Sequence, residues 1–384
     1  MRSNTQRLTY IPVLFLSTLL SCRSGPYPDA ASIERKGRHA RAADVLASLT
    51  LRQKVGQRFI TWIEGVEVDN RIKRLVQDVS VGGIILYPWN TADSQQLREL
   101  TADLQQIARE QSPPVGLFLG VDQEGGRVRG VRFKDSSHLT APFYWSRYGE
   151  QYVEAAAYLT SRELVALGCN MNFAPVLDLY DQPDTTIIGD RSFGADPQMV
   201  AALGAAYVRG AKKGGIIAVA KHFPGHGSST IDSHSRLPVV DLNADELRAR
   251  DMGPFQKLID GGLEGVMTAH LLLPAIDPVY PVTLSPAILR GILRDELNYQ
   301  GLVVSDGIAM GAISDNFSIQ DTLVHLFRAG VDMILVHSSY DVAELQEYVL
   351  TLCETNRLTE EEIDEGVLRV LQLKAKYGLI DDSD

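Results

Sequence analysis

The stretch Ala220-Lys221-His222-Phe223-Pro224-Gly225-His226-Gly227-Ser228-Ser229-Thr230-Ile231-Asp232-Ser233-His234 gathers three of the chain's eight histidines with a lysine and an aspartate. It follows an apolar run and is rich in Gly and Pro, so it reads as a loop on a rigid strand end, where functional groups concentrate. Imidazoles beside a carboxylate can exchange protons near neutral pH. The same residues offer a rival chemistry, because His222, His226, Asp232 and His234 could bind Zn²⁺. His222 and His226 have the i, i+4 spacing of helical metal ligands. Pro224, Gly225 and Gly227 argue against a helix there, however, and Lys221 would repel a divalent cation. No metal and no cofactor is expected. A merely solvated loop is the plainer alternative, disfavoured because Lys221 and His222 emerge directly from the apolar run.

Two further stretches carry carboxylates off apolar runs. Asp306 ends Gly301-Leu302-Val303-Val304-Ser305-Asp306-Gly307, with little steric cover from the following Gly. Such carboxylates also serve structurally, and position alone leaves both roles open. In Gly120-Val121-Asp122-Gln123-Glu124-Gly125-Gly126-Arg127-Val128-Arg129, an Asp leads into a Gly-Gly turn and a group of arginines that includes Arg132. Asp122 could accept hydrogen bonds from sugar hydroxyls, or pair with one of those arginines.

The elements that must hold these residues alternate regularly. Short β-rich runs fall at Phe59–Ile63, Gly83–Tyr87, Leu117–Val121, Met171–Val176, Ile216–Ala220, Val266–Ala269, Leu302–Ser305 and Met333–Val336. Helical stretches lie between them: Ser94–Glu110, Glu150–Leu167, Pro197–Lys213, Ala244–Asp260, Ser285–Leu297, Ile319–Ala329 and Asp341–Thr355. The strands are mostly continuously apolar rather than alternating, as in parallel sheets covered on both faces. Gly punctuates the helix-to-strand joints at Gly82-Gly83, Gly168, Gly214-Gly215, Gly265, Gly301 and Gly330, where a C-cap tolerates positive φ. Thr359 and Glu362 predict a capping box opening the last helix. Eight strand–helix units predict a single α/β (β/α)8 barrel with its active site on the C-terminal rim. A doubly wound sheet would need a Gly-rich phosphate loop after the first strand, and Ile63-Glu64-Gly65-Val66-Glu67 is not one. Tyr87, Asp122, Asp178, Lys221, His222, His270, Asp306 and His337 all fall at or just past strand C-termini.

The chain of 384 residues carries 37 Lys+Arg against 48 Asp+Glu, a formal charge of −11, with ordinary globular hydrophobicity of 45%. An acidic chain without basic blocks is a poor nucleic-acid binder. No apolar run reaches the roughly 20 residues of a membrane span. Arg2 and Arg7 precede an apolar stretch from Leu8 to Leu20 that closes on Leu19-Leu20-Ser21-Cys22. This has the order and size of a secretory signal, and it resembles that of a bacterial lipoprotein lipidated on Cys22. Residues 1–22 are therefore expected to be the signal, 23–40 a tether and 41–384 the barrel. The protein is expected to face the periplasm or cell surface as a membrane-anchored monomer. Cys169 and Cys353 are too few for a disulfide framework, and Cys169 reads as a core residue.

Together the three chemical stretches resemble glycoside hydrolase family 3, in particular its single-barrel exo-β-N-acetylglucosaminidase branch. The resemblance runs from Leu51-Arg52-Gln53-Lys54-Val55-Gly56-Gln57 to the last helix. Its motifs are Val121–Val128, Asn172-Phe173-Ala174-Pro175-Val176-Leu177-Asp178, Asp190-Arg191-Ser192-Phe193-Gly194, Lys221–Gly227 and Asp232-Ser233-His234. It implies Asp306 as nucleophile, His234 as acid/base oriented by Asp232, and Asp122, Arg191, Lys221 and His222 as sugar-binding residues. Where the family usually places a sugar-binding Arg, eight positions after Asp122, this chain has Gly130; Arg129 or Arg132 stands beside it to take over the contact. The implied partner is a glycan ending in N-acetylglucosamine, such as a peptidoglycan fragment. Alternatives are a β-glucosidase-type or phosphorolytic member of the family, or a lipid-anchored barrel that binds sugars without catalysis.

The chemistry is coherent. Retaining glycosidases need a carboxylate nucleophile on one face of the sugar and a proton donor at the leaving oxygen. A His can donate during the first step and accept from water during the second. Asp232 would fix its tautomer. Both lie on a Gly/Ser-rich loop, so the pair is expected to swing into place with substrate.

Overall fold

The apolar runs become eight parallel strands of one nearly closed sheet. The computed structural model describes residues 30–380 apart from 135, 138, 181–186, 228–231, 234 and 338. Strand β1 is Phe59–Trp62, β2 Gly83–Leu86 and β3 Phe118–Val121, followed by a hairpin of β4 (Gln123–Gly125) and β5 (Val128–Arg129). The sheet continues with β6 (Met171–Asn172), β7 (Ile217–Phe223), β8 (Gly265–Thr268), β9 (Leu302–Ser305) and β10 (Ile334–Val336). Its order is β10-β1-β2-β3-β6-β7-β8-β9. A parallel bridge between Val304 and Met333 draws the two edges together, with Ser305 N–H donating to Met333 O at 2.9 Å. This is the expected (β/α)8 barrel.

Alternation along the strands explains why no face of the sheet is polar. Ile60, Ile85, Phe118, Met171, Val219, Met267, Val304 and Leu335 form an interior cluster. Phe59, Ile84, Leu119, Val266, Val303 and Ile334 face the helices. Removing a buried aromatic such as Phe118 from this filled interior costs about 3–5 kcal/mol. Trp62 and Tyr87 continue the inward set upward, and Val370 and Leu373 of the helix Glu360–Lys376 close the floor. That helix opens with the expected capping box: Glu362 N–H donates to Thr359 Oγ1 and Thr359 N–H to Glu362 Oε2. Cys169 is a buried core residue whose thiol is pushed up to about 12 by burial.

Several boundaries differ from expectation for local reasons. Strand β6 stops at Asn172 because Pro175 has no N–H for the ladder. The helix expected over 244–260 contains a wide π-turn, Arg248–Met252, before Pro254, which cannot donate to the preceding turn. Only some joint glycines serve positive φ, as Gly215 and Gly330 do at φ 90° and 87°. Gly82 and Gly301 instead permit close approach, since a Cβ would meet Gln57 O at 2.2 Å and Tyr299 Oη at 2.4 Å. The helix Ala30–Ser48 begins in the second part of the stretch read as tether, in keeping with its many Ala and Arg residues. No helix among the described residues is long and apolar enough to cross a membrane.

Candidate active site

Lys221 and His222 are sequence neighbours, and neighbours on a regular strand point to opposite faces. Pairing of β7 with β8 runs Val219↔Gly265, Ala220↔Val266 and then Phe223↔Thr268, so one extra residue is inserted at Lys221-His222. Such a bulge re-aims side chains. Both residues thereby meet polar partners from neighbouring strand ends.

Lys221 Nζ lies 2.5 Å from Asp122 Oδ1 and 2.6 Å from Glu124 Oε1. Asp122 thus pairs with a lysine from across the sheet. Glu124 also accepts from Arg191, whose Nε and Nη2 reach its two oxygens at 2.8 and 2.9 Å. Burial alone would push Glu124 up, but Arg191 and Lys221 hold it down at about 2. Burial likewise opposes the charge on Lys221, yet Asp122 and Glu124 keep its pKa above the ordinary value. Glu124 and Lys221 are 1% and 3% exposed, whereas the Asp122 side chain keeps 29%. Asp122 is therefore the open end of a buried charge network.

Asp178 is completely buried and orients both histidines of the next segment. Its Oδ2 accepts from His222 Nδ1 at 2.6 Å, and its Oδ1 accepts from His226 N–H at 2.6 Å. Burial would raise its pKa, and the His222 charge and hydrogen bond hold it below the usual carboxylate range. His226 Nε2 stands 3.2 Å from Ser233 Oγ, and burial keeps its pKa low. Gly225, at φ 140°, lets this loop lie against Asp251, where a Cβ would come within 2.8 Å.

Asp306 follows β9 at the same rim. Gly307 N–H donates to its Oδ1 at 2.8 Å, which leaves Oδ2 for chemistry. Burial raises its pKa, but His270, His222, the Gly307 amide and Lys221 together lower it, so the group is held as a carboxylate. His270 is pinned between Thr283 Oγ1 at 2.8 Å and Gly307 O at 3.0 Å. Tyr87 completes the wall: burial, Asp122 and Asp306 all raise its pKa, which places its ring within the field of both carboxylates.

The structure brings Asp306, Asp122, Lys221, His222 and Arg191 together. Arg129 is not in that group. It lines a small cavity with Gln123, Trp145 and Thr160 that includes none of Asp122, Lys221, His222 or Asp306. The pairing of β4 with β5, Gln123 opposite Arg129, fixes that placement. Arg132 instead donates to the Arg129 and Arg127 carbonyls, both at 2.7 Å. Gly130 lies so close to Leu86 and Val121 that a Cβ would be 3.2 Å from each. Asp232 is exposed at a turn closed by Ser235 N–H. His234 and Cys22 lie outside the described residues. No group of three possible metal ligands occurs among the described residues. Glu124 and Asp178 received no role from the sequence. Period-two spacing of Glu124 after Asp122, on a short strand, was the available signal.

Comparison with known proteins gives the family. The family described as Glycosyl hydrolase family 3 N terminal domain matches residues 50–373. Beta-hexosaminidase A of Pseudoalteromonas piscicida is 34% identical over 328 residues, 79% of this chain and 55% of that protein. The chain thus spans little more than half of that relative's length. Beta-hexosaminidase of Nitrosomonas eutropha is 38% identical over 274 residues, 69% of this chain and 76% of that one. Among solved structures, a glycoside hydrolase family 3 beta-N-acetylglucosaminidase from Paenibacillus sp. superposes with a TM-score of 0.83 at 38% identity, covering 88% of this chain and 64% of that one.

Proposed function

The chain belongs to glycoside hydrolase family 3, and on that premise we propose that it is a retaining exo-β-N-acetylglucosaminidase acting through a covalent Asp306 intermediate. The observation that carries this reading is the state of Asp306: ionised, half-buried, one oxygen held by Gly307 and the other left open among His270, His222 and Lys221.

In this account Asp122 accepts from hydroxyls of the terminal sugar, and Lys221 donates to them. With Nδ1 committed to Asp178, His222 offers Nε2 to a further hydroxyl. Arg191 spends one hydrogen of each nitrogen on Glu124 and the Ile187 carbonyl, leaving two for substrate. These contacts fix the anomeric carbon over Asp306, and such positioning is a large share of the barrier lowering. Oδ2 attacks as the glycosidic bond breaks, and His234 gives the leaving oxygen its proton. His234 then takes a proton from water, which displaces Asp306 with net retention. Asp232 orients His234; both roles rest on the sequence motif.

The natural substrate in this reading is a peptidoglycan fragment or other glycan with a terminal β-linked N-acetylglucosamine. The signal-like N-terminus supports an exported protein lipidated at Cys22 and held at the membrane. The test is release of aryl alcohol from an aryl β-N-acetylglucosaminide against the aryl β-glucoside, with and without phosphate. Preference for the former, indifferent to phosphate, supports the reading. Preference for glucoside or dependence on phosphate would replace it.

A further inference from the structure

The barrel mouth is lopsided. From β3 round to β9 its wall is polar, built from Asp122, Glu124, Lys221, His222 and Asp306. From β10 through β1 to β2 it is aromatic. Trp62 stacks on His337 at 5.7 Å and 21°, and Tyr87 stacks on Trp89 at 4.5 Å and 16°. The two stacks meet at a corner, Tyr87 standing edge-on to His337 at 5.3 Å and 89°.

Trp89 is the outermost ring, and it is 50% exposed. It is nonetheless fixed. Its Nε1–H donates to Ile63 O at 3.2 Å, and it sits on the short turn Pro88–Asn90. Asn90 locks that turn by donating to Ile63 O and Gly65 O while accepting from Tyr87 N–H. An indole held rigid with one face in water is a prepared apolar surface at no further ordering cost.

Displacement at the anomeric carbon places the leaving group on the face opposite the nucleophile. Asp306 lies at the strand ends, so the leaving group departs outward through the mouth, whose aromatic side carries Tyr87 and the exposed indole. The hydroxyl-binding residues that would hold the terminal sugar all stand on the polar half. What remains on the aromatic half suits the C–H face of a second ring, whose slightly positive hydrogens match the negative face of the indole.

We propose that Trp89, backed by Tyr87, is the leaving-group subsite, on which the second pyranose of the substrate stacks. The inference rests on the exo-glycosidase reading above and names how that site selects glycans over small glycosides. Two substrates separate the subsite from the chemistry: N,N′-diacetylchitobiose, whose leaving group is a pyranose, and β-N-acetylglucosaminyl azide, whose leaving group is too small to stack. Trp89→Ala should lower kcat/KM on the disaccharide about tenfold and change it less than about twofold on the azide. Trp89→Phe should recover most of the loss, because a flat ring remains. Equal loss on both substrates, or none on the disaccharide, would overturn the subsite. Wild-type protein inactive on both would remove the exo-glycosidase reading, and the subsite with it.

Discussion

Lys221 and Glu124 stand 2.6 Å apart beneath the barrel mouth, and each has a second partner of opposite charge, Asp122 and Arg191 respectively. A buried charge is tolerated when it is paired, and removing one partner strands the others. Glu124 therefore keeps Lys221 and Arg191 charged in a place that would otherwise expel them.

Glu124→Ala should destabilise the protein by roughly 3–5 kcal/mol, read as a lower urea midpoint at unchanged slope. Glu124→Gln gives the finer test. Because the folded-state pKa of Glu124 is about 2 against an ordinary 4.5, its contribution is complete above the ordinary value and is lost as pH falls toward 2. Between about pH 5 and about pH 3, wild type should lose more stability than Glu124→Gln. Parallel curves would show that the carboxylate is not coupled to its cations.

Asp178→Asn should reduce kcat/KM roughly 10–100-fold, since Asp178 selects the tautomer and angle of His222. KM should rise along with the fall in kcat, as expected for a residue that positions substrate through another. Unchanged kinetics in the Asn variant would mean His222 needs no such partner.

At the opposite end of the barrel, Lys374 is buried with its Nζ 2.6 Å from Gln57 Oε1 and 5.2 Å above the Phe118 ring. Burial pushes its pKa well below the ordinary value. Between the folded-state and unfolded-state values the unfolded chain holds the extra proton, so stability rises with pH through that interval. Lys374→Met should abolish this part of the slope and stabilise the protein at neutral pH by roughly 1–3 kcal/mol. Urea midpoints at two pH values check it; a slope equal to wild type would refute the buried-amine account.

His234→Ala should slow substrates with poor leaving groups far more than those with activated aryl groups, which need little protonation. With the activated substrates, a burst of aryl alcohol should precede slow turnover, because the second step still lacks its base. Equal losses without a burst would assign His234 to binding.

The barrel was legible because eight strands covered on both faces leave eight mostly apolar runs, such as Gly83–Leu86. The rim positions of Asp122, Lys221 and Asp306 were legible for the same reason: each is the first charged residue after such a run, and His222 follows Lys221 directly. Their partners were not. Lys221 meets Asp122 across 99 residues of sequence, and Asp178 meets His222 across 44. Strand order decides those meetings, and no local pattern records it. Arg129 stands opposite Gln123 in the β4–β5 hairpin, a pairing that no local pattern around Gly130 records. Trp89 carried no signal of its own, since a lone Trp in a loop gains meaning only from the ring it stacks on.

The central claim is that Asp306 becomes covalently attached to the sugar. The direct measurement is to incubate the protein with a 5-fluoro-N-acetylglucosaminyl donor, whose slowed second step lets an intermediate accumulate, and then to map the labelled peptide by mass spectrometry. The account predicts a single sugar adduct on the peptide containing Asp306, absent from Asp306→Ala, which should fold normally while losing roughly 10⁴-fold or more in turnover. An adduct on another carboxylate, or turnover of the donor with no adduct at all, would contradict it.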